Sequence, residues 1–208
     1  MKLIGIVGTN SNQSTNRRLL QFIQKSFSEK ADIEICEIKD LPAFNEPKEH
    51  TAPSEVKKLS DKIEAADGVI ISTPEYDHTI PAALKSVLEW LSYTTRPLID
   101  KPVMVVGASH GSLGSSRAQA HLRQILDAPE LKARIMPSAE FLLGNSLAAF
   151  DESGNMISED KKQELTECFE EFLMFVKLTN QLLEEHDFTT SKKKKFTWEQ
   201  AADGGNNE

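Results

Sequence analysis

Val69-Ile70-Ile71-Ser72-Thr73-Pro74-Glu75-Tyr76-Asp77-His78-Thr79-Ile80-Pro81 runs directly into Ala82-Ala83-Leu84-Lys85-Ser86-Val87-Leu88-Glu89-Trp90-Leu91. The stretch reads as strand, sharp loop and helix. Val69, Ile70 and Ile71 form an unbroken apolar run, as expected of a strand covered on both faces. Pro74 ends that run, and Pro81 suits a first helical position, where its missing N–H costs nothing. Leu84, Val87, Leu88 and Leu91 then recur at helical spacing. Between strand and helix, Tyr76 sits among short polar residues. Such a loop at the carboxyl end of a parallel strand is able to hold a flat ring. Taken alone, it is equally an ordinary strand-to-helix loop.

Outward from this unit, the same alternation repeats. Leu3 to Val7 reads as a first strand, followed by the small polar residues Gly8-Thr9-Asn10-Ser11-Asn12-Gln13-Ser14-Thr15-Asn16. Leu19, Leu20, Ile23 and Phe27 then mark an amphipathic helix. A strand that feeds a polar loop and a helix N-terminus makes a phosphate cradle, because free N–H groups and the helix dipole both favour an anion. The hydroxyls of Thr9, Ser11 and Ser14 add donors. A long helix cap is the competing reading. Neither GxxxxGK[ST] nor GxGxxG is present, so a triphosphate loop and a pyrophosphate turn are not indicated.

Asp32 to Ile38 reads as a second strand, 40–53 as a proline-containing loop, and Val56, Leu59, Ile63 and Ala66 as a helix. Pro102 to Gly107 is a further apolar strand, followed by Ala108-Ser109-His110-Gly111-Ser112-Leu113-Gly114-Ser115-Ser116 and a helix from Arg117 to Leu126. A less regular fifth strand is expected within Ala133 to Leu143. Leu165, Cys168, Phe169, Phe172, Leu173, Val176 and Leu183 predict a long last helix. Apolar periodicity stops after Glu185, and Lys192 to Lys195 stand in a polar, glycine-rich end. The organisation expected is one domain over 1–186 and a polar, disordered tail over 187–208.

The 208 residues carry a formal net charge of −8, which argues against nucleic acid or an anionic membrane as main partner. No stretch is long and apolar enough to span a bilayer. Cys36 and Cys168 lie singly in apolar patterns, with no CxxC and no Cys/His cluster, so free buried thiols and a cytoplasmic setting are expected rather than a zinc site.

Strands alternating with helices predict an α/β domain with a parallel sheet. Five strands suggest the flavodoxin-like order 2-1-3-4-5 in a three-layer sandwich, where the loops after strands one, three and four meet at one sheet edge. One loop suits a phosphate, one carries an aromatic ring and one offers N–H groups beside glycines. Together they match a phosphorylated flat cofactor, pointing to FMN.

These motifs are similar to those of a known family. Thr73-Pro74-Glu75-Tyr76-Asp77-His78-Thr79-Ile80-Pro81 resembles a TPEYN-x-S-x-P loop, and Leu84-Lys85-Ser86-Val87-Leu88-Glu89-Trp90-Leu91-Ser92 resembles an LKNAIDWLS helix. Lys101-Pro102, Ser109, Gly111, Arg117-Ala118-Gln119 and His121-Leu122-Arg123 also match. The chain is identified over about 1–145 as a member of the NADPH-dependent FMN reductases, which include chromate, quinone and azo-dye reductases. Two positions depart from the family pattern. Ser11 stands where the first loop of the family carries arginine, which puts NADPH preference in question, and Asp77 replaces asparagine.

The resemblance implies hydride transfer from NAD(P)H through FMN to a small-molecule electron acceptor, with no catalytic acid or nucleophile supplied by the protein. Thr9, Ser11, Ser14, Thr15 and Asn16 would bind the phosphate; Pro74, Glu75, Tyr76 and Asp77 would line the ring; Ser109, His110 and Gly111 would face its N1/O2 side. Self-association as a dimer or tetramer is implied too, with Lys85, Arg117 and Glu140 as candidates for intersubunit ion pairs and Trp90 either core or interface. The rival reading is an FMN-binding electron carrier without NAD(P)H turnover.

Overall fold

The computed structural model describes residues 1–137 and 140–185. Its elements are β1 (Lys2–Val7), α1 (Thr15–Ser26), β2 (Asp32–Cys36), α2 (Ser54–Glu64), β3 (Gly68–Ser72), α3 (Ala82–Trp90), β4 (Pro102–Ala108), α4 (Ser116–Leu126), β5 (Arg134–Ile135), β6 (Phe141–Leu143) and α5 (Glu159–Glu185). The sheet is parallel, in the order β2-β1-β3-β4-β5, with β6 also on β4. This is the predicted order with one strand more. The expected disordered tail lies outside the described residues.

The continuous apolar runs are explained by the two cores. Side chains of a strand alternate between faces. Ile4, Ile6, Val69, Ile71, Val103 and Val105 pack with α2, α3 and α4 on one side. Leu3, Val7, Ile70, Met104 and Val106 pack with α1 and α5 on the other. Each such buried aliphatic side chain contributes about 1.5–3 kcal/mol relative to exposure. On this second face Phe27 stacks on Phe169 at 4.1 Å, joining the end of α1 to α5.

The fifth strand differs from expectation. It is two short strands that share the far side of β4: β5 pairs with Pro102 and Val103, β6 with Val106 to Ala108. Pairing toward β4 runs on to Met136, whose N–H donates to the Val103 carbonyl at 2.8 Å, and resumes at Phe141. The second strand is also shorter, ending at Cys36 rather than Ile38. Pro81 caps α3 from just outside, its carbonyl accepting from Lys85 N–H at 3.1 Å. Past Trp90 the helix widens into one π turn over Leu91–Thr95 and stops at Arg96, which is left-handed at φ 54°.

Trp90 belongs to the core. It is 3% exposed, and its indole N–H donates to the Pro42 carbonyl at 2.9 Å. Phe44 meets it edge-on at 5.1 Å, so the 40–53 loop is pinned against α3. Lys85 pairs with Glu89 one turn along the same helix, and Arg117 pairs with Glu75, so these two charges are engaged within one chain. Burial pushes both cysteine thiols above their ordinary range, which leaves neither as a ready thiolate near neutral pH.

Gly107, near the end of β4, has no room for a side chain. A Cβ there would lie 1.9 Å from Ser115 Oγ and 2.6 Å from the Thr73 carbonyl oxygen, whereas one on Gly111 would meet nothing within 4 Å. Gly107→Ala is therefore expected to lower stability by about 1–3 kcal/mol through overpacking, and Gly111→Ala to change it by about 0.5 kcal/mol or less. Urea unfolding of the two variants checks the pair; equal losses would refute the assignment.

Candidate functional site

Three loops close over the carboxyl ends of β1, β3 and β4, where the strand order reverses between β1 and β3. They enclose a cleft of about 590 Å³, within the usual range for cofactor pockets.

The first wall is the start of α1. Ser14 is its cap: extended at φ −117°, with Oγ accepting from Arg17 N–H at 3.3 Å. The N–H groups of Thr15 and Asn16 occupy the first two helical positions, where an α-helix has no internal acceptor for them. They and the O–H of Ser14 are the donors this wall offers to an anion. The remaining hydroxyls are engaged within the chain, that of Ser11 donating to the Gln13 carbonyl at 3.3 Å at the surface. Thr9 Oγ1 accepts from Ser11 N–H at 3.2 Å and shares a hydrogen bond with the Tyr76 hydroxyl at 3.3 Å. Thr15 Oγ1 shares one with Ser146 Oγ at 2.8 Å. Asn16 is 1% exposed: its Nδ2 donates to the Ala108 carbonyl at 2.8 Å, and its Oδ1 accepts from Ser72 Oγ and Ala108 N–H, both at 2.9 Å.

The second wall is a tight hairpin. Tyr76 and Thr79 exchange N–H···O bonds at 2.9 Å each way, and Asp77 and His78 between them have φ of 49° and 64°. Both central residues left-handed is the form that matches strand twist, and a short polar side chain such as that of Asp77 tolerates it. The hairpin holds Tyr76 half out in solvent, at 46% exposure. A hydrogen bond between Thr79 Oγ1 and His121 Nδ1 ties the hairpin to α4. Glu75 makes a second tie. Its carboxylate accepts from the Arg117 backbone N–H at 3.1 Å and from Arg117 Nη1 at 3.0 Å. Ser115 precedes α4 in the left-handed region, at φ 67°, and makes no side-chain cap bond. Glu75 thus caps α4 from another loop, with a carboxylate at the positive end of the dipole.

The third wall is the loop after β4. Ser109 N–H donates to the Leu143 carbonyl at 3.0 Å, and Asn145 N–H donates to the Gly111 carbonyl at 2.9 Å, so β6 and the turn beyond it hold this loop. Gly111 stands with open space where a Cβ would be.

The structure brings Ser11, Ser14, Thr15, Asn16, Pro74, Glu75, Tyr76, Ser109, His110 and Gly111 to the cleft lining. Thr9 lies behind it, 1% exposed and bonded to Tyr76, and Asp77 lies at the hairpin tip; neither lines the cleft. The lining also includes Gln13, Ala108, Ser112, Leu113 and Arg117. The first four fill gaps within the loops already singled out. Arg117 lines it through its bond to Glu75, for which the sequence carries no spacing signal.

The residues fit a phosphorylated planar cofactor. Free helix N–H groups suit one phosphate, an exposed tyrosine suits a ring, and the space over Gly111 lets a flat group approach the backbone. Among the described residues no group of three or more His, Cys, Asp and Glu side chains is placed to hold a metal ion, and no helix is long and apolar enough to cross a membrane.

Residues 1–148 match the model of the family described as NADPH-dependent FMN reductase. The chain is similar to the NADH:(hydroxy)cinnamate reductase subunit CrdA of Vibrio ruber, at 61% identity over 96% of this chain and 98% of the relative. It is similar to the NADH-dependent flavin reductase subunit 2 of Lactobacillus johnsonii, at 43% identity over 85% and 97%. The quinone reductase of Escherichia coli matches at 32% identity over 86% and 98%. Among solved structures, the NAD(P)H:(acceptor) oxidoreductase FerB of Paracoccus denitrificans superposes with a TM-score of 0.70, at 26% identity, covering 89% of this chain and 98% of that one. With the matched segment containing β1 to α4 and all three walls of the cleft, the chain belongs to the NADPH-dependent FMN reductase family, oxidoreductases that use FMN with NAD(P)H as electron donor.

Proposed function

We propose that this chain passes hydride from NAD(P)H to a quinone, an azo compound, a free flavin or a similar acceptor in two alternating half-reactions, at the cleft between the 11–16, 74–76 and 109–113 loops. The observation that carries this reading is the pairing of free N–H groups at the start of α1 with an exposed Tyr76 and an open backbone at Gly111, on three walls of one cleft. FMN supplies hydride acceptance and donation at its N5 when bound. The residues of the chain bind and orient. Ser14 O–H and the Thr15 and Asn16 N–H groups would take the phosphate, Tyr76 would flank the ring, and the Ser109 to Gly111 loop, its Ser109 N–H already given to Leu143, would offer the N–H groups of His110 and Gly111 where negative charge develops. Pro74 and Glu75 set the hairpin that carries Tyr76.

A single cleft walled by three loops is best used by one partner at a time. NAD(P)H and acceptor therefore take turns at the same place, at about the 3–3.5 Å separation that hydride transfer requires. Steady-state turnover with a quinone is expected to give parallel double-reciprocal lines. Intersecting lines would mean both substrates bind together and would reject the shared place. NADH is expected to serve at least as well as NADPH. The arginine of the lining, Arg117, is already paired with Glu75, and two relatives carry NADH in their names.

Gly111 tests the cofactor's place directly. Gly111→Val adds a branched side chain into open space, so the fold is expected to survive with Tm nearly unchanged. Flavin content after purification is expected to fall by about tenfold or more, for a loss of about 1.4 kcal/mol in affinity. Full flavin content in this variant would remove Gly111 from the site.

Self-association fits a second feature. Phe44, Leu88, Tyr93, Ile125, Ala128 and Leu131 line a groove of about 380 Å³ between α3 and α4, rimmed by Glu46, Lys85, Glu89 and Glu130. We place a second copy of the chain on this groove, as a closed dimer or a tetramer built from such dimers. Light scattering is expected to give a multiple of the 23.2 kDa chain mass, and Ile125→Glu to shift it toward the monomer. A monomer at micromolar concentration would overturn this.

A further inference from the structure

We propose that Arg17 is a positioning residue for the cofactor phosphate: it holds the first loop from behind and so makes the cleft prefer a phosphorylated flavin over the same flavin without phosphate. The inference deepens the FMN reading above and rests on it. Arg17 does not line the cleft. Its guanidinium is turned the other way, with Nη1 donating to the Asn12 carbonyl at 3.1 Å and Nη2 to the Ser11 carbonyl at 3.0 Å. The same fork grips Glu37, just past β2, through Nε at 2.5 Å and Nη2 at 2.8 Å. A guanidinium has five donors in a rigid plane, and four contacts here fix its orientation.

The consequence is for the loop. Two successive carbonyl oxygens are drawn toward Arg17, away from the place where an anion would meet the α1 N-terminus. Carbonyl oxygens facing a phosphate would repel it; held back, they leave the N–H groups of Thr15 and Asn16 and the Ser14 hydroxyl as the groups presented. Ser11 is held from its other side as well, its N–H donating to Thr9 Oγ1. Arg17 also completes the helix cap, its own N–H donating to Ser14 Oγ. The cap bond belongs to the backbone; the guanidinium adds the hold on the loop that precedes it. Because Glu37 neutralises the guanidinium at close range, Arg17 acts by geometry and not as a free positive charge attracting the phosphate from a distance.

The test compares two ligands that differ only in the phosphate. Protein stripped of flavin is titrated with FMN and with riboflavin, for the wild type, R17A, R17K and E37Q, and apo-protein Tm is recorded for each. For R17A the FMN Kd is expected to rise about tenfold or more, the range for losing hydrogen bonds to a charged group, while the riboflavin Kd stays within about twofold. R17K is expected to remain defective for FMN, because one ammonium cannot bridge two carbonyls and a carboxylate in a fixed plane. E37Q, which keeps the arginine and loosens its anchor, is expected to fall between. Should the alanine variant not fold, R17K and E37Q carry the same comparison. Restoration of FMN binding by R17K would assign the effect to charge and overturn the proposal. So would parallel weakening of FMN and riboflavin, or no change in R17A. A wild type that takes up neither flavin overturns the FMN reading and the clasp's phosphate role with it; one that binds both flavins equally well overturns the clasp's role alone.

Discussion

The buried amide of Asn16 is the junction on which the site depends. It sits at the second helical position of α1, yet its side chain bonds to the end of β3 through Ser72 and to both backbone groups of Ala108 at the end of β4. Three elements that carry the three walls of the cleft are thus fixed to one planar group. A net hydrogen bond contributes about 1 kcal/mol, but losing this side chain would strand buried partners at about 1–3 kcal/mol each. The larger effect is on register: the helix N-terminus keeps its height relative to the loops after β3 and β4 only while this junction holds.

Around it, most of the polar side chains that decorate the loops serve the loops themselves. Thr9 supports Tyr76 and Ser11, Thr15 engages Ser146, and Glu75 caps α4. What is left facing the cleft is mainly backbone. Donors of this kind are set by the fold and need no rearrangement when a ligand arrives, which is the structural form of preorganisation. Glu75–Arg117 illustrates why an ion pair's location matters more than its strength. Arg117 is half exposed, so as an ion pair it is worth little, but with the backbone bond it locks the hairpin loop to α4 and fixes where Tyr76 stands.

Arg17 and Glu37 extend the same logic outward. Their pairing joins α1 to the chain just past β2, the edge strand of the sheet, and so couples the first loop to the sheet margin. The cleft is therefore held from within by Asn16 and from behind by Arg17, with both residues adjacent in sequence and pointing to opposite partners.

The sequence alone determined the layering and the strand order. The apolar run of Val69, Ile70 and Ile71 suits a strand buried on both faces, and helices at 3.6-residue spacing between such strands suit a covered parallel sheet. That order brings the three polar loops to one sheet edge. The tertiary structure decided what periodicity does not encode. The last strand formed as two short pieces that pair with opposite ends of β4. Thr9 went behind the cleft because its hydroxyl found Tyr76, 67 residues away, and Trp90 went into the core because its N–H found Pro42. Hydrogen-bond partners distant in the chain carry no local spacing signal, so which polar groups face a ligand and which serve the fold is settled only when the loops meet.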